Sequence, residues 1–149
     1  MKTQLVKDWM TKDPVVVDIS TTVPEAHALL NRYRIRRLPV VHEGRLVGII
    51  TLGDIRGAEP SEATTLSVFE LNYLLSKLTI DRIMSKPVAT IRPDETVFDA
   101  ARLMLQRKIA GLVVVGEGEE VVGIVTESDI FRMIVRVWEQ EAEEALTGL

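Results

Sequence analysis

An internal repeat is the feature of this sequence that most constrains its fold. A repeat means that one supersecondary unit is used more than once, so it has to be found before helices and strands are assigned. Four stretches of the first half recur in the same order in the second half. With their echoes they are Asp8–Val15 and Arg82–Val88, Thr22–Leu30 and Thr96–Met104, Ile35–Val41 and Ile109–Val115, and Gly48–Ile55 and Gly123–Ile130. The offset grows from 74 residues at Thr22 to 75 at Gly48, which indicates one inserted residue in the turn between two strands.

Within each copy the order of patterns predicts the unit β-α-β-β-α. A short apolar run is followed by a threonine with an acidic residue three positions later, the capping-box spacing that begins a helix. Two more apolar runs joined by a short glycine-containing connection predict a hairpin, and a second helix then begins at Thr51 or Thr126. The predicted strands are Val15–Val17, Leu38–Val41 and Leu46–Ile50, then Val88–Ile91, Leu112–Val115 and Val121–Val125; the predicted caps are Thr22 with Glu25 and Thr96 with Asp99.

The fold class that these patterns predict is α/β (α+β), with the two β-α-β-β-α repeats packed as a pseudo-two-fold pair. A unit of roughly 60 residues is marginal by itself. The continuously apolar strands Leu38–Val41 and Leu112–Val115 are expected to be buried on both faces. We therefore divide the chain into repeat 1 at 1–57, a linker with an amphipathic helix at 58–79, and repeat 2 with an extended C-terminal helix at 80–149.

Two apolar segments lie outside the repeated unit. The linker begins as a loop at Gly57–Ser61 and continues as a helix over Leu66–Leu78, which is apolar on more than one side. The second helix of the first copy is expected to end at Gly57. The matching last helix of the chain is longer and keeps an apolar stripe beyond the corresponding point. The stripe consists of Ile130, Phe131, Ile134, Trp138 and Ala142. Because one module cannot cover all of this surface, we expect a homodimer; a clamp of the linker helix over the core is the alternative.

Composition and motifs indicate a binding protein rather than an enzyme. The chain has no cysteine, and its two histidines, His27 and His42, lack metal-ligand spacing, so we expect no metal site. No phosphate loop, dinucleotide fingerprint or nucleophile elbow occurs. The net charge of −4 disfavours nucleic acid as the main partner. Nothing resembles a signal peptide or approaches the roughly 20 apolar residues of a membrane span, so we expect a cytoplasmic protein with no membrane partner.

The pattern Gly-h-h-Thr-x-x-Asp, where h is Ile or Val, occurs once in each copy. Its members are Gly48, Thr51 and Asp54, and Gly123, Thr126 and Asp129. One interpretation is purely structural, because Thr-x-x-Asp after a strand is a capping box that needs no ligand. The other is that threonine at a helix N-terminus offers a hydroxyl and free N–H groups to phosphate, while aspartate accepts hydrogen bonds from a ribose diol and a β-branched wall holds adenine. Spacing alone leaves both open.

At these residues the sequence resembles the CBS domain family, named after cystathionine β-synthase. The resemblance extends over both repeats and includes the leading Val-x-Asp-h-Met, the Arg-Arg-Leu-Pro-Val-Val stretch and both Gly-h-h-Thr-x-x-Asp motifs. It implies a Bateman module that senses AMP, ADP, ATP or S-adenosylmethionine as a regulatory ligand, in clefts between paired repeats and with no catalytic cofactor. In such a module Asp54 and Asp129 hold ribose, and Thr51 and Thr126 help to hold phosphate. The implied base-lining residues are Arg36, Arg37, Leu38, Pro39, Ala110, Gly111, Leu112 and Val113, with Val17 and Ile91 in the flanking wall. The basic residues among them, Arg36 and Arg37, are also implied to help hold phosphate.

The two implied clefts are not equivalent. Where the first copy has Arg36-Arg37-Leu38-Pro39, the second has Ala110-Gly111-Leu112-Val113, which lacks both guanidinium groups. The resemblance implies clefts that face each other, so the sequence leaves open which of them Arg36 or Arg37 serves. Two other functions stay open: a structural or interaction scaffold with vestigial clefts, and nucleic-acid binding through the basic stretch 32–37. We expect the regulated partner to be a separate, unidentified effector protein.

Overall fold

The chain folds into two compact units that do not coincide with the two sequence repeats. The computed structural model describes residues 3–59 and 65–148. One unit is Val15–Val88, and the other joins Met1–Pro14 to Ala89–Leu149. Each unit therefore contains one β-α-β-β-α repeat together with the leading segment of the other repeat, 3–14 or 79–88. We call them the first-repeat unit and the second-repeat unit.

The secondary structure has the mixed α/β character and the repeated order that the sequence predicts. In chain order the elements are α1 Val6–Trp9, β1 Thr11–Lys12, β2 Val17–Asp18, α2 Val23–Tyr33, β3 Arg37–His42, β4 Arg45–Thr51, α3 Leu52–Ala58, α4 Val68–Lys77, a 3₁₀ turn Ile80–Arg82, β5 Thr90–Ile91, α5 Val97–Arg107, β6 Gly111–Val115, β7 Val121–Thr126 and α6 Glu127–Thr147. The helix α3 ends one residue beyond the predicted Gly57. Of the predicted loop that follows, Pro60 and Ser61 lie outside the described residues.

The first-repeat unit has a sheet with strand order β2-β3-β4. β2 is parallel to β3, and β3 and β4 form the predicted antiparallel hairpin. Its turn residues Glu43 and Gly44 have φ values of 51° and 77°. Positive φ at both central positions is what a two-residue hairpin needs, because that turn follows the twist of the strands.

The second-repeat unit has the sheet order β1-β7-β6-β5. β5 is parallel to β6, and β6 and β7 form the second hairpin. The additional strand β1 comes from the N-terminal leading segment and pairs antiparallel with β7, with Thr11 opposite Ile124. The N-terminus therefore completes the sheet of the repeat that is most distant from it in sequence.

The central strands are buried on both faces, as predicted. Leu38, Pro39 and Val40 are buried in succession, and so are Leu112–Val115. Successive side chains of a strand point to opposite faces of the sheet, so an unbroken run of buried residues means that both faces are covered. Each hairpin therefore lies in the core of its own unit.

Both repeats attach the leading segment of the other in the same way, around the cap of the first repeat helix. In the second-repeat unit the Val97 N–H donates to the Gln4 carbonyl at 2.8 Å. In the first-repeat unit the Val23 N–H donates to the carbonyl of Leu78, just before the segment, also at 2.8 Å, and the Ile80 N–H donates to the Thr21 carbonyl at 2.9 Å. The caps themselves are those predicted: the hydroxyls of Thr22 and Thr96 accept hydrogen bonds from the N–H groups three residues on.

The linker helix α4 and the long last helix α6 carry much of the exposed apolar surface. Phe69 on α4 is 87% exposed and Trp138 on α6 is 74% exposed. The buried residues of α6 are Asp129, Met133 and Val137, on a different face from the exposed stripe. No helix in the described part of the chain is both long and apolar enough to cross a membrane.

Candidate functional site

The first motif places Thr51 and Asp54 where strand β4 becomes helix α3. Thr51 is the last residue of β4 and the N-cap of α3. The Asp54 N–H donates to the Thr51 hydroxyl at 3.1 Å, and the Thr51 N–H donates to the Asp54 carboxylate at 2.9 Å. The structural reading of the motif, a complete capping box, is therefore present. One carboxylate oxygen of Asp54 is used in this box.

The other carboxylate oxygen of Asp54 accepts a hydrogen bond from Ser85, a residue that the sequence analysis missed. The Ser85 hydroxyl donates to Asp54 at 2.9 Å. Ser85 is held in place by two backbone hydrogen bonds with Ile49 of β4, of 2.8 and 3.0 Å. A signal was available in the sequence, because Ser85 and Thr11 are hydroxyl residues that follow the methionine of each leading segment. What the sequence does not state is that a leading segment contacts the motif of the other repeat.

The second motif has the same capping box but a different partner for its carboxylate. The Thr126 N–H donates to Asp129 at 2.9 Å, and the Thr126 hydroxyl donates to the same oxygen at 3.4 Å. The other oxygen accepts a hydrogen bond from the Arg132 guanidinium at 2.7 Å. Asp129 is only 4% exposed, whereas Asp54 is half-buried. Arg132 also escaped the sequence analysis, although it lies one helical turn after Asp129.

The hairpin register brings the predicted base-lining strand next to each motif threonine. Arg37 is directly opposite Thr51 in the β3–β4 pair, and Gly111 is directly opposite Thr126 in the β6–β7 pair. The Glu127 N–H also donates to the Ala110 carbonyl at 3.1 Å, which ties the start of α6 to the residue before β6. The first motif therefore has a cationic neighbour across the sheet, and the second has a residue without a side chain.

The remaining predicted site residues differ in their exposure. Arg36 is exposed, just before β3, and Ala110 is exposed before β6. The side chains of the others are buried in the core of their own unit: Val17, Leu38, Pro39, Ile91 and Leu112. Within residues 3–59 and 65–148 no cluster of three or more acidic or histidine side chains is arranged to hold a metal ion.

Comparison with known proteins assigns the family. The CBS domain profile matches residues 6–61 and 80–136, which is one match for each repeat. The chain belongs to the CBS domain family. Its two CBS domains are in tandem, and the resemblance found in the sequence is confirmed. A CBS domain-containing protein of Dictyostelium discoideum is 34% identical over 136 residues, which is 91% of this chain and 94% of that protein.

Solved CBS pairs and longer relatives give the same result. The CBS pair of protein MJ0100, solved with 5′-methylthioadenosine and S-adenosyl-L-methionine, has 36% identity and a TM-score of 0.72, covering 89% of this chain and 97% of that one. CBSX2 of Arabidopsis thaliana, solved with AMP, has 28% identity and a TM-score of 0.75, covering 90% and 98%. An L-aspartate semialdehyde sulfurtransferase of Methanocaldococcus jannaschii is 38% identical over 130 residues, 87% of this chain. This chain spans only 23% of the length of that enzyme.

Proposed function

We propose that this chain is a regulatory module that binds an adenosyl ligand at its two Gly-h-h-Thr-x-x-Asp motifs. The observation that carries the proposal is a carboxylate, Asp54 or Asp129, at the start of the helix that follows the motif strand in both repeats. Two related CBS pairs support adenosine as the common part of the ligand, since one was solved with 5′-methylthioadenosine and S-adenosylmethionine and the other with AMP. AMP, ADP, ATP and S-adenosylmethionine are the proposed ligands, in a regulatory and not a catalytic role.

In this proposal the aspartates hold the ribose, and the neighbouring polar groups hold the phosphate. A carboxylate can accept about four hydrogen bonds, so Asp54 has capacity left after its bonds with Thr51 and Ser85. Thr51 and Thr126 cap helices, where N–H groups and the helix dipole favour an anion. Arg36 and Arg37 add positive charge beside the first motif only. A phosphorylated ligand is therefore expected to favour the first motif.

The base is proposed to lie against the start of each hairpin. Arg36–Pro39 and Ala110–Leu112 are the segments involved. Since Val17 and Ile91 are buried in the core clusters, they support the base-binding segments from the core side.

A scaffold function is the second candidate, and one specific observation favours it. Both oxygens of each motif carboxylate already accept hydrogen bonds from the protein itself. A capping box that is complete without a ligand is what a vestigial site would retain. The scaffold and the sensor differ in one measurable respect, which is whether removing the carboxylate changes ligand affinity or only stability.

Calorimetric titration of AMP and adenosine into the wild type and single variants separates the two functions. If the carboxylate holds the ribose, Asp54→Ala or Asp129→Ala loses charged hydrogen bonds worth roughly 1.5–3 kcal/mol, a loss of about tenfold or more in affinity at that site. Arg37→Ala should weaken AMP far more than adenosine. Asp99→Ala is the matched control, because Asp99 closes the same kind of capping box with Thr96 outside either motif.

The outcome that favours the scaffold is equally specific. Affinity would then be unmeasurable, or unchanged in all three site variants, while the melting temperatures of Asp54→Ala and Asp129→Ala fall like that of Asp99→Ala. The sensor function predicts a different result for the wild type: a ligand at a hundred times its dissociation constant should stabilise the fold by about 2.7 kcal/mol. Guanine and pyrimidine nucleotides should stabilise it less.

The apolar faces of α4 and α6 are proposed to form a homodimer interface. Large apolar patches on a soluble protein mark places where another molecule binds, and symmetric homodimers are the commonest soluble assemblies. Ligand binding would then be transmitted to a separate effector protein through a change in this assembly.

A further inference from the structure

The two motif carboxylates have different partners, although the motifs are otherwise alike. Asp54 accepts from a neutral hydroxyl, that of Ser85, at 2.9 Å, and is half-buried. Asp129 accepts from a guanidinium, that of Arg132, at 2.7 Å, and its side chain is 6% exposed. Both bonds are charge-assisted because each acceptor is a carboxylate, but only the Arg132 guanidinium also brings a formal positive charge. Among the ion pairs of residues 3–59 and 65–148, the second carboxylate has a cationic partner and the first has none.

The cation exists in only one copy. At the offset of 75 residues that relates Gly48 to Gly123, the position matching Arg132 is Gly57, which has no side chain. Conversely, Arg37 beside the first motif is matched by Gly111 beside the second. Each repeat thus has one arginine near its motif, in different places. In the first repeat it is Arg37, on the strand opposite the threonine, and in the second it is Arg132, on the helix after the aspartate.

We propose that Arg132 is a specificity-determining residue that gates the ribose carboxylate of the second motif. The inference rests on the proposed function, since it assumes that Asp129 takes a ribose diol. The diol has to compete with Arg132 for the same oxygen. The Arg132 side chain is 52% exposed, so it has room to move away, but the second site binds only after that exchange. The first motif, with its neutral Ser85 hydroxyl, fills first.

The proposal predicts opposite changes in adenosine affinity at two matching positions, Arg132 in the second repeat and Gly57 in the first. In an Asp54→Ala background, which isolates the second motif, Arg132→Met should raise adenosine affinity by at least about threefold, because an ion pair no longer competes. In an Asp129→Ala background, which isolates the first motif, Gly57→Arg should lower adenosine affinity by a similar factor. A Cβ atom added at Gly57 meets nothing within 4 Å, so this variant is expected to fold. Arg136→Met, an exposed arginine further along α6, is the control and should leave affinity unchanged.

Adenosine is the probe because it has the ribose but no phosphate for Arg132 to attract. Isothermal titration of the full chain gives the affinities, and melting curves check that each variant is folded. If Arg132→Met weakens adenosine or leaves its affinity unchanged, or if Gly57→Arg has no effect on the first motif, the gate is overturned. If the single Asp54→Ala and Asp129→Ala variants bind adenosine as tightly as the wild type, the ribose assignment fails first and the gate fails with it. If Asp54→Ala and Asp129→Ala weaken adenosine binding but Arg132→Met and Gly57→Arg do not have the expected effects, the gate is overturned and the ribose assignment stands.

Discussion

Gly48 and Gly123 show why the motif begins with glycine. A Cβ atom added at Gly48 would lie 2.3 Å from the sulfur of Met84, and one added at Gly123 would lie 2.4 Å from the sulfur of Met10. Both methionines belong to the leading segment of the other repeat. The glycine therefore leaves space for the close approach of that segment.

The two glycines should not be equally sensitive to substitution. At Gly48 the obstacle is the flexible Met84 side chain, whereas at Gly123 an added Cβ also lies 2.9 Å from the backbone oxygen of Thr11, in the paired strand β1. Overpacking typically costs about 1–3 kcal/mol. We expect Gly48→Ala at the low end and Gly123→Ala at the high end of that range, measured by urea unfolding.

Double variants test whether the methionine or the backbone is the obstacle. Truncation of Met84 to Ala should rescue part of the Gly48→Ala loss in a double-mutant cycle. Truncation of Met10 should rescue Gly123→Ala less, because the Thr11 carbonyl remains. Equal costs and equal rescue in the two repeats would contradict this account.

Asp99 gives the repeat helix α5 a pH-dependent cap. Hydrogen bonds from the Thr96 N–H and the Thr96 hydroxyl lower the pKa of Asp99 below its ordinary value of 3.8. A lowered pKa means that the folded state favours the ionised form, so the stabilisation is fully present above the unfolded pKa. It is lost as the pH falls below 3.8 and through the lower folded pKa.

Asp99→Asn should therefore be less stable than the wild type at neutral pH, and the difference should shrink as the pH falls below about 4, the ordinary aspartate range. Thermal unfolding of both proteins over a pH series measures it. Asp94→Asn, in the exposed turn before the cap, is the control and should run parallel to the wild type. A difference between Asp99→Asn and the wild type that persists at the lowest pH would show that the charge of Asp99 is not the cause.

At the scale of elements, the sequence was sufficient wherever the signal is local. Both hairpins, the caps at Thr22 and Thr96, and the threonines that begin α3 and α6 follow from residues a few positions apart. The buried character of β3 and β6 follows from their continuous apolar runs. These elements were predicted with their boundaries within one or two residues, as is usual for helix and strand ends.

The elements that the sequence did not predict depend on distant pairings. β1 is two residues long and gains its partner, β7, from more than a hundred positions away. Ser85 reaches Asp54 by the same kind of exchange. No local pattern in Thr11-Lys12 or in Met84-Ser85 specifies such a partner. Arg132 is different, because its spacing of three residues from Asp129 places it one helical turn away and can be read from the sequence. The sequence does not show, however, that its guanidinium donates a hydrogen bond to the Asp129 carboxylate.

At the scale of the whole molecule, the exchange of leading segments ties both ends of the chain to the second-repeat unit. The N-terminal segment supplies α1 and β1 to that unit, and α6, the last element of the chain, belongs to the same unit. Two apolar faces are left over from this arrangement. On α4 the face includes Phe69, Tyr73 and Leu74, and on α6 it consists of Phe131, Ile134, Val135 and Trp138.

We expect a homodimer that these faces hold together, and Phe69→Glu with Leu74→Glu tests it on α4. The two side chains are 87% and 55% exposed, so charge there should cost little folding stability. In the dimer each would otherwise be buried with a gain of about 1.5–3 kcal/mol, and a symmetric interface counts every such loss twice. The double variant should therefore be folded but dissociated over a dilution series in which the wild type stays dimeric by light scattering.

Leu105→Glu is the matched control for this double variant. Leu105 is 81% exposed on α5, a helix that carries neither face, so its change to glutamate adds one negative charge outside the proposed interface, against two in the double variant. Phe131→Glu with Trp138→Glu makes the corresponding test of α6 and separates the contributions of the two helices. If the wild type itself is monomeric at every concentration, or if Leu105→Glu dissociates it as readily as the α4 variant, the proposed interface is wrong. If only the α4 pair dissociates it, the dimer is held by the linker helix, and the α6 stripe becomes available for the effector.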